Sequence, residues 1–264
     1  MITIKRLCAL LIIGVFCPLL FGAEKVLPLP GENFEVSGRP AFLIPGKKEG
    51  LPMAKPWVWY APTLPGLPGK EEKWMFQHFQ DAGIAIGGID AGESYGSPKG
   101  NQLFSDFYKA MTATRGYSTK PVLLGRSRGG LMTLSWATEN PDKVAAFAGI
   151  YPVCNLASYP GMEKAAPAFE LSTDQLREKL KSYNPVDRLS GLARAKVPMF
   201  AIHGDIDKVV PLELNSGLVK SRYEALGATM ELVIPKGQGH NMWTGFFQSG
   251  ELVQFVKAHA LPKK

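Results

Sequence analysis

From Trp57 onward, short runs of β-branched and aromatic residues alternate with stretches whose apolar residues recur at helical spacing. That alternation admits few folds other than a mostly parallel sheet covered by helices on both faces. Strands are expected near 57–60, 84–89, 121–125, 144–151, 197–203 and 230–234. Between them, Trp74, Met75, Phe79 and Ala82 mark one helical core face, and Leu103, Phe107 and Met111 a second. Leu212, Val219, Tyr223 and Leu226 mark a third, and Leu252, Val253 and Val256 the last. Ahead of this unit, Phe34, Val36, Phe42 and Ile44 flank Ser37-Gly38, which suits a hairpin added at the sheet edge.

Two intervals carry other signals. Residues 61–70 hold Pro62, Pro65, Gly66, Pro68 and Gly69, and read as a surface loop at the carboxyl end of the first parallel strand. Residues 152–196 form the longest gap between strands. They contain one helix over about 172–182, opened by a Ser172/Gln175 capping box, so at most a small cap is expected over that edge. With no internal repeat, residues 24–264 read as a single α/β domain.

Gly125-Arg126-Ser127-Arg128-Gly129 follows the apolar run Val122-Leu123-Leu124 and precedes a helical run, so G-x-S-x-G sits at a strand-to-helix turn. Such a turn strains the serine backbone, needs the flanking glycines for close approach, and projects the hydroxyl above the sheet edge. The next N–H, that of Arg128, then lies at the helix start, where an oxyanion is stabilised. A serine nucleophile needs a histidine to take its proton and a carboxylate to orient that histidine. His203-Gly204-Asp205-Ile206-Asp207 ends one late strand and Gly239-His240 follows the next. Asp207 is the expected acid, Asp205 its competitor and better suited to bracing a turn, and His240 the expected base. His78 and His259 fall in helical patterns, and His203 suits a structural hydrogen-bonding role. A second oxyanion donor is expected from the loop after the first parallel strand, where Ala61 and Thr63 keep an N–H and Pro62 has none, and Ala61 is the choice.

The order Ser127, Asp207, His240, each at a strand end, resembles the α/β-hydrolase superfamily, in the branch of prolyl-oligopeptidase-like and dienelactone-hydrolase-like catalytic domains. The likeness covers roughly residues 55–258 and rests on Arg126-Ser127-Arg128-Gly129-Gly130, His203-Gly204-Asp205-Ile206-Asp207 and Gly239-His240. It implies an α/β-hydrolase fold and serine hydrolase chemistry. Ser127 stands where dienelactone hydrolases use cysteine, and no pattern for the propeller of prolyl oligopeptidases occurs within these residues. Pro56–Ala61 and Tyr95–Lys99 are similar to segments of exported bacterial hydrolases, which implies an envelope or extracellular setting.

The beginning of the chain agrees. Lys5 and Arg6 precede an apolar run from Leu7 to Leu20, followed by Gly22 and Ala23, the layout of a secretory signal peptide over residues 1–23. An uncleaved anchor is the alternative, but the run falls short of the ~20 residues that span a bilayer, and Phe16 disfavours a lipid anchor at Cys17. Cleavage removes Cys8 and Cys17, leaving Cys154 with no partner for a disulfide. It also leaves 28 basic against 23 acidic residues, scattered along the chain, which gives no support to nucleic-acid binding.

The expected reaction is carboxylic ester hydrolysis through an acyl-enzyme, which requires no metal or organic cofactor. A small cap, export, and the aromatic residues Tyr95 and Trp243 near the site point to an esterified carbohydrate, an acetyl or feruloyl polysaccharide, with either ring lining the substrate pocket. Trp243 packing on the final helix is the alternative. Arg126 and Arg128 either meet a substrate carboxylate or form ion pairs with acids such as Asp90 and Glu93. Two further readings stay open, a secreted serine peptidase of prolyl-oligopeptidase type and an inactive binding module on the same fold. A lipase is disfavoured by the short, charged 152–196 segment.

Overall fold

The computed structural model describes residues 25–47 and 54–262; the expected signal peptide lies outside them. An eight-stranded sheet runs through the centre. Its strands are β1 (Glu32–Val36), β2 (Arg39–Ile44), β3 (Trp57–Ala61), β4 (Ala85–Ile89), β5 (Val122–Arg126), β6 (Ala146–Ile150), β7 (Met199–Ile202) and β8 (Met230–Val233). Their spatial order is β1-β2-β4-β3-β5-β6-β7-β8. β2 pairs antiparallel with β1 and β4, and all other neighbours are parallel. Ser37 and Gly38, both at positive φ, turn the β1–β2 hairpin as the sequence indicates. This is the α/β-hydrolase fold that the motif order implied.

Side-chain alternation sorts the strands onto two buried faces. Trp57 and Trp59 of β3 join Phe104 and Phe107 of α2 (Pro98–Lys109) and Trp136 of α3 (Gly129–Glu139) in one core layer. Val58 and Tyr60 face the other way, against Met75, Phe76 and Phe79 of α1 (Lys73–Asp81). Burial on both faces is why these strands read as unbroken apolar runs rather than alternating ones. Phe104 and Phe107 are almost wholly buried, worth about 1.5–3 kcal/mol each. Pro98 at the first helical position and Ser97, whose Oγ accepts from Gly100 N at 3.3 Å, start α2.

The segment after β6 forms the small cap. It contains α4 (Met162–Ala165), α5 (Thr173–Glu178) and α6 (Leu180–Tyr183) before α7 (Ser190–Arg194) returns the chain to the sheet. The Ser172/Gln175 capping box is present, but the single helix expected over 172–182 is two helices, broken at Lys179 (φ −93°, ψ 6°). Among these residues only Leu176 is fully buried, so no continuous apolar stripe holds one axis straight. After β7, α8 (Ser216–Ala225) keeps Val219 and Tyr223 in the core. Leu212 lies in a separate turn, and Leu226, past the end of α8, is 49% exposed instead of buried. The chain ends in α9 (Thr244–Phe247) and α10 (Gly250–Ala260), and α10 packs beside α1. Among the described residues no helix is long and apolar enough to cross a membrane.

One fully buried side chain fastens the cap to the sheet. Asn215 accepts from Cys154 N at 2.9 Å and donates to Ser158 Oγ and Pro211 O, each at 2.9 Å. Removing it strands the buried Cys154 N–H and takes a partner from the half-buried Ser158 Oγ and Pro211 O, and a buried group left unsatisfied costs about 1–3 kcal/mol. We expect Asn215→Ala to lose about 2–4 kcal/mol of stability, read from the shift in urea midpoint, while a Ser158→Ala variant loses less because Asn215 keeps its other bonds.

Candidate active site

The sheet order jumps across β3, which has β4 on one side and β5 on the other, so a crevice opens at the carboxyl ends of these strands. Ser127 stands there, one residue past β5, with φ +49°. The left-handed backbone costs free energy and is held by its neighbours. Ser127 N donates to Ile150 O (3.0 Å), and Ser127 O accepts from Gly130 N (2.9 Å) and Val153 N (2.8 Å). The glycines are steric requirements: a Cβ on Gly129 would lie 2.1 Å from Ala61 O, and one on Gly130 2.4 Å from Val153 O.

The structure brings the three expected side chains together. Ser127 Oγ is 2.8 Å from His240 Nε2, and His240 Nδ1 is 2.7 Å from Asp207 Oδ2. The carboxylate fixes the proton on Nδ1 and leaves Nε2 free to accept from the serine. Asp207 Oδ1 accepts from Val209 N (3.0 Å) and Val210 N (2.8 Å), and its Oδ2 lies 3.4 Å from Nε2 of the buried His203. Burial alone pushes the Asp207 carboxyl up, but hydrogen bonds from His203, His240 and the Val210 amide outweigh it and hold the group well below the usual carboxylate range. Asp205 turns elsewhere, accepting from Gly237 N at 2.7 Å and bracing the histidine loop. His203 donates from Nε2 to Val210 O and accepts at Nδ1 from Ser216 Oγ, both at 2.8 Å.

Arg128 caps the start of α3, with its N–H at the positive end of that helix. Ala61 ends β3 and packs its carbonyl on Gly129, while Thr63 is buried and turns its hydroxyl back to Tyr60 O. Ala61, Pro62 and Thr63 are all buried, so the 61–70 segment is a surface loop only in its middle. Lys25 Nζ reaches across it to Leu64 O and Leu67 O at 2.5 and 2.7 Å.

The cleft above Ser127 is about 220 Å³ and is lined by Pro62, Leu67, Arg126, Tyr151, Asn241 and Met242 around the serine and histidine. Neither aromatic residue proposed from the sequence belongs to it. Tyr95 is 4% exposed and packs under the cap with Leu131 and Met162. Trp243 lies edge-on to Phe246, with its ring over Gly245, at the start of α9 rather than on the last helix.

Residues with no sequence signal shape the cleft instead. Tyr151 follows β6 at φ +34°, and its ring centroid is 4.4 Å from that of His240. Burial pushes its hydroxyl up to about 12, against the opposing pull of Arg126. Arg126 pairs at 2.6 Å with Glu72, whose side chain is fully buried, and not with Asp90 or Glu93. Glu72 also accepts from Tyr60 Oη and Gly69 N, both at 2.8 Å, so its charge is fully engaged. Arg128 forms the ion pair with Glu93 that the sequence reading allowed. Among the described residues no group of three or more His, Cys, Asp or Glu is placed to hold a metal ion.

A depressed folded-state pKa means that ionised Asp207 stabilises the fold above its unfolded value, near ~3.9, and that this contribution is lost as pH falls. We therefore expect wild type to exceed Asp207→Asn in stability at pH 7, with the gap narrowing below about pH 4. Urea unfolding at pH 7, 5 and 3 checks this, and a gap that widens on acidification contradicts it.

Known proteins share parts of this sequence or this fold. Over 122 residues, 43% of this chain, the sequence is 30% identical to acylamino-acid-releasing enzyme of Arabidopsis thaliana, and it spans 16% of that enzyme's length. Among solved structures, MPT51 of Mycobacterium tuberculosis superposes with a TM-score of 0.69 at 13% identity, covering 88% of this chain and 100% of MPT51. The acylaminoacyl peptidase of Pyrococcus horikoshii gives 0.70 at 15% identity, over 89% of this chain and 42% of that one. The model of the prolyl oligopeptidase family matches residues 87–260, a span holding Ser127, Asp207, His240 and strands β5 to β8. The chain therefore belongs to the prolyl oligopeptidase family, serine hydrolases of the α/β-hydrolase fold.

Proposed function

We propose that the protein is an exported serine hydrolase that cleaves peptide or N-acyl bonds of short, accessible substrates through an acyl-enzyme. The observation that carries the chemistry is the hydrogen-bonded chain Ser127 Oγ, His240, Asp207. In the reaction Ser127 Oγ attacks the substrate carbonyl as His240 Nε2 takes its proton, and Asp207 stabilises the imidazolium. The Arg128 N–H, joined by a donor at the end of β3 near Ala61, receives the charge on the carbonyl oxygen. His240 then returns the proton to the leaving amine, and water, deprotonated by the same histidine, releases the acyl group from Ser127. Membership of the prolyl oligopeptidase family and similarity to an acylamino-acid-releasing enzyme favour the amide bond.

A carboxylic ester is the second reading, including acetyl or feruloyl esters of polysaccharides. The size of the cleft favours it: about 220 Å³ suits a compact acyl group, and exposed Asn241 and Met242 leave it open to a polymer's surface. The same triad serves both bonds, so substrate choice decides between them.

The test compares N-acetyl-alanine and N-acetyl-phenylalanine p-nitroanilides with p-nitrophenyl acetate and butyrate. We expect turnover of the anilides and a loss of at least about 10³-fold in kcat for both substrate types in Ser127→Ala. Turnover of the esters alone selects the second reading. Activity surviving in Ser127→Ala removes Ser127 as nucleophile, and silence from the wild type on every substrate leaves a binding module.

Export rests on the Lys5-Arg6 start and the apolar run to Leu20. Expression in a bacterium with mass spectrometry of the purified protein should give a chain starting at Glu24. A product retaining residues 1–23 contradicts cleavage.

A further inference from the structure

A second and larger cleft opens beside the first. It is about 560 Å³, and Lys70, Lys73, Trp74, His78, Met242 and Phe247 line it. Met242 is the one side chain that lines both clefts, which makes it the divider between them. That divider is half-exposed, and its Sδ accepts from Arg126 Nη2 at 3.1 Å. The same guanidinium lies over Phe247, 4.9 Å from the ring centroid, so one side chain borders the serine and braces the mouth of the larger cleft.

The lining has a definite chemistry. Trp74 and His78 have ring centroids 3.9 Å apart, and His78 Nδ1 donates to Trp74 O at 2.9 Å, which makes a fixed aromatic wall. Lys70 and Lys73 are exposed and have no ion-pair partner among the described residues. Glu71 also lines the cleft, while its neighbour Glu72 is buried and engaged by Arg126. The cleft therefore offers apolar area below and two uncommitted ammonium groups, against one carboxylate, at the rim.

We infer that this cleft holds the part of the substrate remote from the scissile bond, and that it selects a peptide segment carrying carboxylate side chains. The inference rests on the peptidase reading above. The cleft at Ser127 has room for little more than the group next to the broken bond, so a longer substrate must leave it, and the larger cleft lies just across Met242. Aromatic walls hold chain segments with little entropy cost, and the lysines supply the preference for acidic over basic ones.

Binding is measured with the uncleaving Ser127→Ala protein by fluorescence anisotropy, using rhodamine-labelled hexapeptides that differ only in three glutamates against three lysines. At low salt the glutamate peptide should bind about tenfold tighter, with the margin shrinking as ionic strength rises. Added to that background, K70E/K73E should reverse the preference. K109E/K120E, an equal charge change at residues that line neither cleft, should keep it. Equal binding of the two peptides, or a preference unchanged in K70E/K73E, overturns the inference. The p-nitroanilide assay judges the peptidase reading separately. A protein that prefers the acidic peptide and loses that preference in K70E/K73E, yet cleaves only esters, keeps the cleft as a peptide site and loses the peptidase reading alone.

Discussion

The close approach of α3 to the end of β3 is the constraint on which the rest of the site depends. Gly129 sits so near the Ala61 carbonyl that no side chain fits between them, and Gly130 is as tightly placed against Val153. That proximity forces the turn at Ser127 into its left-handed backbone and aims the hydroxyl at the crevice. It also sets the Arg128 N–H, next after the serine, at the start of α3. The strain at one residue is carried by three backbone hydrogen bonds, one to β6, one from the loop after it and one from the first turn of α3, so Ser127 is positioned by the packed sheet and helix rather than by a flexible loop.

Electrostatics complete the crevice in two separate units. Asp207 is desolvated yet ionised because two amides and two histidines surround it, which keeps a fixed negative charge behind His240. Across the serine, Arg126 and Glu72 neutralise one another in a nearly closed setting, so the guanidinium shapes the wall and places Met242 without presenting a strong bare charge to substrate. A buried pair of this kind adds little net stability over an apolar substitute, so its value here is geometric.

Much of this was legible in the sequence, and what was missed shares a physical origin. Strands buried on both faces declare themselves as apolar runs, and the serine, aspartate and histidine each follow such a run directly, so local pattern and chain order locate them. Asp207 was told from Asp205 by the local turn pattern, since Asp205 directly after Gly204 suits a turn brace, and the structure has Asp205 accept from Gly237 while Asp207 meets His240 across the gap between β7 and β8. Glu72 carried no signal. It lies in the charged stretch Lys70–Lys73, which reads as solvent-facing, and its partner is 54 residues away. Tyr151 looked like the end of a strand, and its place against His240 follows from the positive φ that turns it out of β6. Tyr95 and Trp243 failed for the opposite reason: both are close in sequence to site elements, but one is folded under the cap and the other onto its own helix.

The acid and base loops stay paired beyond the last residues of β7 and β8. His203 N bonds Val233 O, Asp205 Oδ1 receives Gly237 N, and Ile206 N reaches Gln238 O, so the two loops continue as a narrow ribbon past the sheet. β8 is the terminal strand on that side, with a neighbour on one flank only. The separation of aspartate and histidine is thus set by main-chain register, which leaves the intervening side chains free to vary. It also ties the histidine–carboxylate contact to the outermost strand: fraying at this margin would part His240 from Asp207 while both core layers were still intact, so loss of that contact and global melting need not be the same event.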